Sequence, residues 1–289
     1  MTDARDVPGQ QYLSPDVVLI EMAEAGSRRA ISLTGAQVLV LSAIAGGFIT
    51  VGALFSTLIA TGTDNEGVQR LLEGFGFSFG FFLVVLSGAV LFTEANVELP
   101  ATLMDRRRST GGPASMGRAI ARLWLLGLMA AFGNMAGAVV VGRAIAATSS
   151  YGAGDEELLA EVLDGKLRFR ETGGIEGFGR AVLSGMLGNW LVGMAAFLAT
   201  MGRTIIGKYI PVLLTVMALV AGGFLHSPAN MAFLSLIQPL GIGPGWADGL
   251  LWAVLPAAIG NVIGAFLLVA LPFWFAATRC ARRVAGPVV

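Results

Sequence analysis

Six apolar stretches alternate with polar segments along this chain. They cover residues 36–60, 75–104, 116–147, 176–201, 208–236 and 249–278. Each is long enough to supply the roughly 20 residues that an α-helix needs to cross a bilayer core of about 30 Å. The pattern predicts an all-α membrane protein with six transmembrane helices. Two stretches are interrupted partway along. The second contains Phe92-Thr93-Glu94-Ala95-Asn96, and the fifth contains His226-Ser227-Pro228-Ala229-Asn230. Pro228 removes a backbone donor, and Ser, Thr and Asn side chains compete for helix hydrogen bonds. The second and fifth helices are therefore read as broken.

The interruptions repeat. A hydroxyl residue, any residue, then Ala-Asn occurs at Thr93–Asn96 and again at Ser227–Asn230. The third stretch carries Gly133-Asn134 followed by Gly137-Ala138, and the sixth carries Gly260-Asn261 followed by Gly264-Ala265. Two matches in the same order divide the chain into two three-helix repeats. An odd number of spans per repeat forces the halves into inverted orientations. Broken backbone inside a membrane is tolerated only where protein or a water-filled cavity satisfies it, and paired broken helices mark transport sites. Half-helices starting near Ala95 and Ala229 would aim their N-terminal dipoles at the centre, which suits an anion. The chain is read as one transmembrane domain, 1–289. It comprises a cytoplasmic N-terminal segment (1–30), a first repeat (31–147), an outer loop (148–175), a second repeat (176–279) and a cytoplasmic tail (280–289).

Composition excludes other classes. With 55% hydrophobic and 13% charged residues the chain is no disordered segment. One cysteine, Cys280, makes no disulfide scaffold and is given no role. The 19 basic and 19 acidic residues cancel, so no nucleic-acid partner is expected. Placing the N-terminus inside puts most basic residues on inner segments, among them Arg28, Arg29, Arg106, Arg107, Arg108 and Arg279. The outer loop is acidic. A multi-pass protein of the inner or plasma membrane, with both termini cytoplasmic, follows. No cleavable signal peptide is read at the N-terminus. Ser14-Pro15 suggests a helix start, and a short helix over 15–25 at the inner membrane surface is one reading. A plain extension is the other.

Few polar side chains lie at depth. His226 is the only histidine and adjoins the second break. Ionisable groups within spans are costly and usually line a pathway. An imidazole titrates near neutral pH, so it can donate to an anion or exchange a proton with it. Thr93 in the other break and Asn189 in the fourth span can hydrogen-bond to a solute or glue helices together. Asn134 and Asn261, set among glycines and alanines, are read as packing residues. Glu94 is a selectivity element, a proton site or a contact between protomers. The run Phe75, Phe77, Phe79, Phe81 and Phe82 offers both lipid-facing rings and a hydrophobic constriction.

The strings Gly88-Ala89-Val90-Leu91-Phe92-Thr93, Gly188-Asn189-Trp190-Leu191-Val192 and His226-Ser227-Pro228-Ala229-Asn230-Met231 together resemble the formate/nitrite transporter family. The resemblance implies an aquaporin-like fold and a homopentamer with one pore per protomer. It implies passage of small monovalent anions of weak acids such as formate, nitrite, hydrosulfide, acetate or lactate; proton coupling through the central histidine is one reading, and simple channel passage is the other. His226 resembles the family's pore histidine, Thr93 its loop threonine, and Asn189 the asparagine of the same network. Phe77, Phe81, Leu91, Phe92 and Leu219 resemble its two constrictions. Three features depart from the pattern. Leu225 stands where an acid usually precedes the histidine. Glu94 follows the threonine. The basic residue of the outer vestibule has no direct match, with Arg170 and Arg180 as candidates.

Other classes remain as alternatives. An aquaporin-like neutral-solute channel shares the half-helices, although Pro228-Ala229-Asn230 reverses the usual order and occurs once. An intramembrane enzyme is disfavoured by the lone histidine and the lack of a metal-ligand cluster, and no cofactor is expected. A non-conducting scaffold is the third. The expected partners are a small anion, the lipid bilayer and further copies of the chain.

Overall fold

The computed structural model describes residues 11–104 and 113–276. Arg106, Arg107, Arg108, Arg279, Cys280 and the tail lie outside them. The described residues are almost entirely helical. α1 (Pro15–Ser32) precedes α2 (Gly35–Ala60), α3 (Glu66–Ser87), α4 (Phe92–Met104) and α5 (Pro113–Ala147). The outer loop folds into α6 (Ala153–Leu167) and α7 (Phe169–Thr172). α8 (Gly174–Met201), α9 (Ile205–Ala221) and α10 (Ser227–Ile237) follow. The last, α11 (Trp246–Ala276), is one rod with two wider π-type stretches, Gly249–Val254 and Ala265–Ala270. By length and composition α2, α3, α8, α11 and the Ile120–Ala147 part of α5 can cross a membrane, and α9 is shorter and apolar.

Local signals account for the ends. Thr34 and Gln37 form a reciprocal capping box on α2, and Asn65 caps α3. The second and fifth stretches are broken as expected, into α3/α4 and α9/α10. Each first half ends at a glycine that takes a positive φ, Gly88 at 70° and Gly223 at 61°. That left-handed turn is strained for other residues, which explains glycine at both breaks. The second halves begin at Phe92 and Ser227, earlier than the expected Ala95 and Ala229.

The repeats pack alike. α2 lies between α3 and α5, and α8 lies between α9 and α11. Gly137 sits against the carbonyl of Ala43, and Gly264 sits against the carbonyl of Met186. A Cβ at either position would collide with backbone, so these glycines set the helix separation in each half.

Two elements depart from expectation. α1 extends past 15–25 and does not simply lie on a surface. Val18, Leu19, Met22 and Ala23 are buried, and α1 packs on α4 and α8. The apolar stripe continues through Gly26, where a Cβ would meet the Thr102 hydroxyl and the Glu98 carbonyl. That close approach carries the helix on to Ser32. The outer loop is likewise structured. Leu159, Leu163 and Leu167 are buried, and α6 packs over α10.

Candidate translocation site

The two breaks meet at a buried pair. Thr93 is the second residue of α4, and His226 immediately precedes α10. Thr93 Oγ1 lies 2.8 Å from His226 Nε2, and both residues are buried. His226 Nδ1 has no hydrogen-bond partner among the described residues. A buried polar atom left unpaired costs about 1–3 kcal/mol, so such an atom beside a cavity marks a place for a ligand. Asn189, on α8, donates from Nδ2 to the Thr93 carbonyl at 3.3 Å and to the Asn261 carbonyl at 2.7 Å. The structure thus brings His226, Thr93 and Asn189 into one network, although they are far apart in sequence.

Asn134 and Asn261, read from sequence as packing, hold the breaks open. Asn134 Oδ1 accepts from Phe92 N at 2.9 Å, while its Nδ2 donates to the carbonyls of Ser42 and Val90. Asn261 Oδ1 accepts from Ser227 N at 2.9 Å, while its Nδ2 donates to the carbonyls of Gly185 and Leu225. Each asparagine supplies what the interrupted helix lost, and both do so in the same geometry. The correspondence supports the repeat reading. It also shows that the first N–H of each half-helix is already spent.

A cavity of about 380 Å³ opens above His226. Phe77, Leu219, Ala229 and Phe233 line its apolar part with His226, and Glu73, Lys166 and Arg168 line its polar part. The rings of Phe77 and Phe233 stack at 6.1 Å. On α3 the phenylalanine run divides by helical period. Phe77 and Phe81 are buried, whereas Phe75 and Phe79 face outward, 43% and 39% exposed. Leu91 shares the main core with Phe77, Phe81 and Leu219. Phe92 stands apart from that group. It packs with Val90 and Ala130 and lines a second, apolar cavity of about 330 Å³ together with Asn96, Leu99 and Trp124.

The family model described as "Formate/nitrite transporter" matches residues 17–275. This chain belongs to the formate/nitrite transporter family. It is 30% identical over 259 residues to a "Probable formate transporter" of Methanothermobacter thermautotrophicus, covering 83% of this chain and 88% of that one. It is 29% identical to "Formate channel FocA" of Escherichia coli strain K12, covering 81% and 84%. Among solved structures, a "Pentameric formate channel with formate bound" superposes with a TM-score of 0.67 at 22% identity, covering 84% and 98%. An "FNT family ion channel" superposes with a TM-score of 0.71 at 21% identity, covering 90% and 98%. These two share the fold. The protein is a multi-pass membrane transporter, not an enzyme.

In this formate/nitrite transporter the two arginines that the sequence offered for the outer cavity, Arg170 and Arg180, stand elsewhere. Arg170 pairs with Asp248 at 3.1 Å and Arg180 with Glu176 at 2.6 Å, all of them well exposed. Neither lines the cavity. Lys166 does, with its Nζ 5.0 Å from the Phe233 ring centroid. Burial pushes the Lys166 ammonium down to about 8, while the nearby Glu73 carboxylate pulls it up and Arg168 pulls it down. A sequence signal existed. Leu159, Leu163 and Lys166 fall at helical spacing, so Lys166 shares the buried face of α6.

Glu94 is paired. Arg29 of α1 contacts Glu94 Oε2 at 3.3 Å and Glu98 Oε2 at 2.6 Å, and it reaches the Ala89 carbonyl at 3.4 Å. All three side chains are largely buried, 14%, 13% and 6% exposed. Glu94 and Glu98, one turn apart, share the face of α4 that α1 covers.

Proposed function

We propose that this protein is a channel-like transporter that passes small monovalent anions of weak acids, with formate as the leading cargo. The observation that carries this reading is the buried Thr93–His226 contact at the junction of two broken helices, directly below a cavity with a lysine in it. The relatives described above point to formate, and nitrite and hydrosulfide share its charge and size. The working unit is a homopentamer with one pore per protomer. Most of the arginines fall on the segments assigned to the inside, which favours a plasma-membrane protein with both termini in the cytoplasm.

In this reading the anion meets Lys166 and loses water at the constriction of Phe77 and Leu219. Phe81 and Leu91 continue the apolar path. A bare charge crosses such a narrowing at high cost. His226 lowers that cost. Charging an imidazole in a low-dielectric site is itself expensive without a counter-ion, so proton and anion arrive together. The imidazolium then gives its Nδ1 proton to a carboxylate oxygen. The products are a neutral imidazole, with its Nε2 proton facing Thr93 Oγ1, and a neutral acid that continues inward. Asn189 fixes the Thr93 carbonyl and so the position of the hydroxyl. Glu94, held by Arg29, acts by positioning the inner side of the break.

The test is anion flux into proteoliposomes at two pH values, using formate, nitrite, hydrosulfide, acetate and lactate. Wild type is expected to pass formate, and His226→Ala and His226→Asn to lose rate or pH dependence. Unchanged flux and pH dependence in both variants would sink the histidine role. Water or glycerol permeability without anion flux would favour a neutral-solute channel instead.

A further inference from the structure

One face of α3 reads, from the outer cavity inward, Gln69, Glu73, Phe77 and Phe81, each four residues after the last. Residues at this spacing stack along one side of a helix. Gln69, Glu73 and Phe77 all line the outer cavity. An acid therefore stands one turn above the constriction of a path proposed to carry anions. Glu73 is 9% exposed, and Gln69 Nε2 donates to its Oε1 at 3.0 Å. This carboxylate is built in and held, not a solvated surface charge.

A buried carboxylate needs a compensating charge, and Lys166 lines the same cavity. Lys166 has the Phe233 ring beneath it, and the Glu73 carboxylate favours its charged form. The other acids of the cavity, Glu66 and Glu161, stand at its exposed rim. Arg70 is paired with Glu66 at 2.5 Å, and Arg168 is tied to the carbonyls of Gly165 and Gly223. Lys166 is thus the cation that an incoming anion can claim, and Glu73 is the buried carboxylate that shares its cavity.

We propose that Glu73 is the internal counter-anion of Lys166, that it competes with the cargo for the ammonium, and that it sets the half-saturation for uptake from the outer side. The inference rests on the transport reading above. Glu73 is a specificity and positioning residue. A small anion that binds Lys166 more tightly than a tethered carboxylate is admitted, and one that binds more weakly is turned away. The site discriminates by competition, so it needs no dedicated pocket.

The experiment measures initial formate uptake against outer concentration at pH 7 in proteoliposomes of the full-length oligomer. The variants are Glu73→Gln, Glu73→Asp, Lys166→Gln and the double variant Glu73→Gln/Lys166→Gln. Glu73→Gln keeps the size of the side chain and is expected to lower half-saturation roughly three- to tenfold, as loss of a nearby like charge should. Maximal rate should change little, and Glu73→Asp should stay close to wild type. Lys166→Gln should raise half-saturation, and Glu73→Gln should have little further effect in that background. Unchanged or raised half-saturation in Glu73→Gln, with flux intact, overturns the inference alone. An undiminished effect without Lys166 overturns the counter-ion role. Wild type that passes no anion overturns the transport reading and this inference with it.

Discussion

Asn134 and Asn261 occupy equivalent places in the two repeats, each with its side-chain oxygen on the first N–H of a half-helix and its nitrogen on two carbonyls. Truncating the asparagine strips its side-chain partner from two backbone groups at each break, Phe92 N and Val90 O or Ser227 N and Leu225 O. An unsatisfied buried group costs about 1–3 kcal/mol. Asn134→Ala and Asn261→Ala should therefore each destabilise the protein by a few such increments. Thermal unfolding in detergent would check this, with a clear drop in midpoint expected for both variants. Equal stability to wild type would mean that the breaks are held by packing alone.

Thr93 presents its hydroxyl to His226 from a fully buried position. Thr93→Val keeps the shape and removes the hydrogen bond. Formate flux should fall severalfold while oligomer yield stays unchanged. Thr93→Ser should retain most of the flux. If Thr93→Val conducts like wild type, the hydroxyl has no part in passage.

Lys166 should give uptake a pH signature. Its ammonium titrates near 8, below the ordinary 10.5, because burial opposes the charge. The charge is present at pH 7 and is lost as the outer pH rises through about 8. Half-saturation for uptake should rise over that window. Arg168 and the acids Glu66, Glu73 and Glu161 line the same cavity. Stability should move the other way. Between about 8 and 10.5 the folded protein binds fewer protons at Lys166 than the unfolded chain, so this group favours folding more as pH rises. Lys166→Gln should remove both trends, measured by uptake and by thermal unfolding across pH 7 to about 10.

Arg29 answers two carboxylates at once. Arg29→Leu leaves Glu98 and Glu94 side by side and largely buried, and breaking such a pair costs about 3–5 kcal/mol. The triple variant Arg29→Leu/Glu94→Gln/Glu98→Gln should recover much of that loss. Limited proteolysis of α1 is the readout. Cleavage should be faster in Arg29→Leu and near normal in the triple variant.

Much of this arrangement was legible in the chain. Pro228 and the lone histidine stand out against an apolar run, so the second break declares itself, and its match at Thr93–Asn96 declares the first. The roles of Asn134 and Asn261 were hidden because their partners, Ser42 and Gly185 among them, lie on other helices. Nothing local distinguishes a packing asparagine from one that caps a distant break. Lys166 was masked by its neighbours. In an acidic loop a lysine reads as solvated, and only the leucines at helical spacing betray that α6 turns inward. The extension of α1 past residue 25 has no local signal, because the groups that receive Gly26, Thr102 and the Glu98 carbonyl, lie on α4. Glu94 gave no hint of Arg29, which is 65 residues away.

The asparagine clasps have a consequence for how the protein is made. Asn134 binds only groups of the first repeat, Ser42, Val90 and Phe92, and the side chain of Asn261 binds only groups of the second, Gly185, Leu225 and Ser227. During synthesis the first half can thus seal its own interrupted helix before the second half has left the ribosome. Thr93 must then wait for His226. The Thr93–His226 contact therefore comes into being only when the two halves dock.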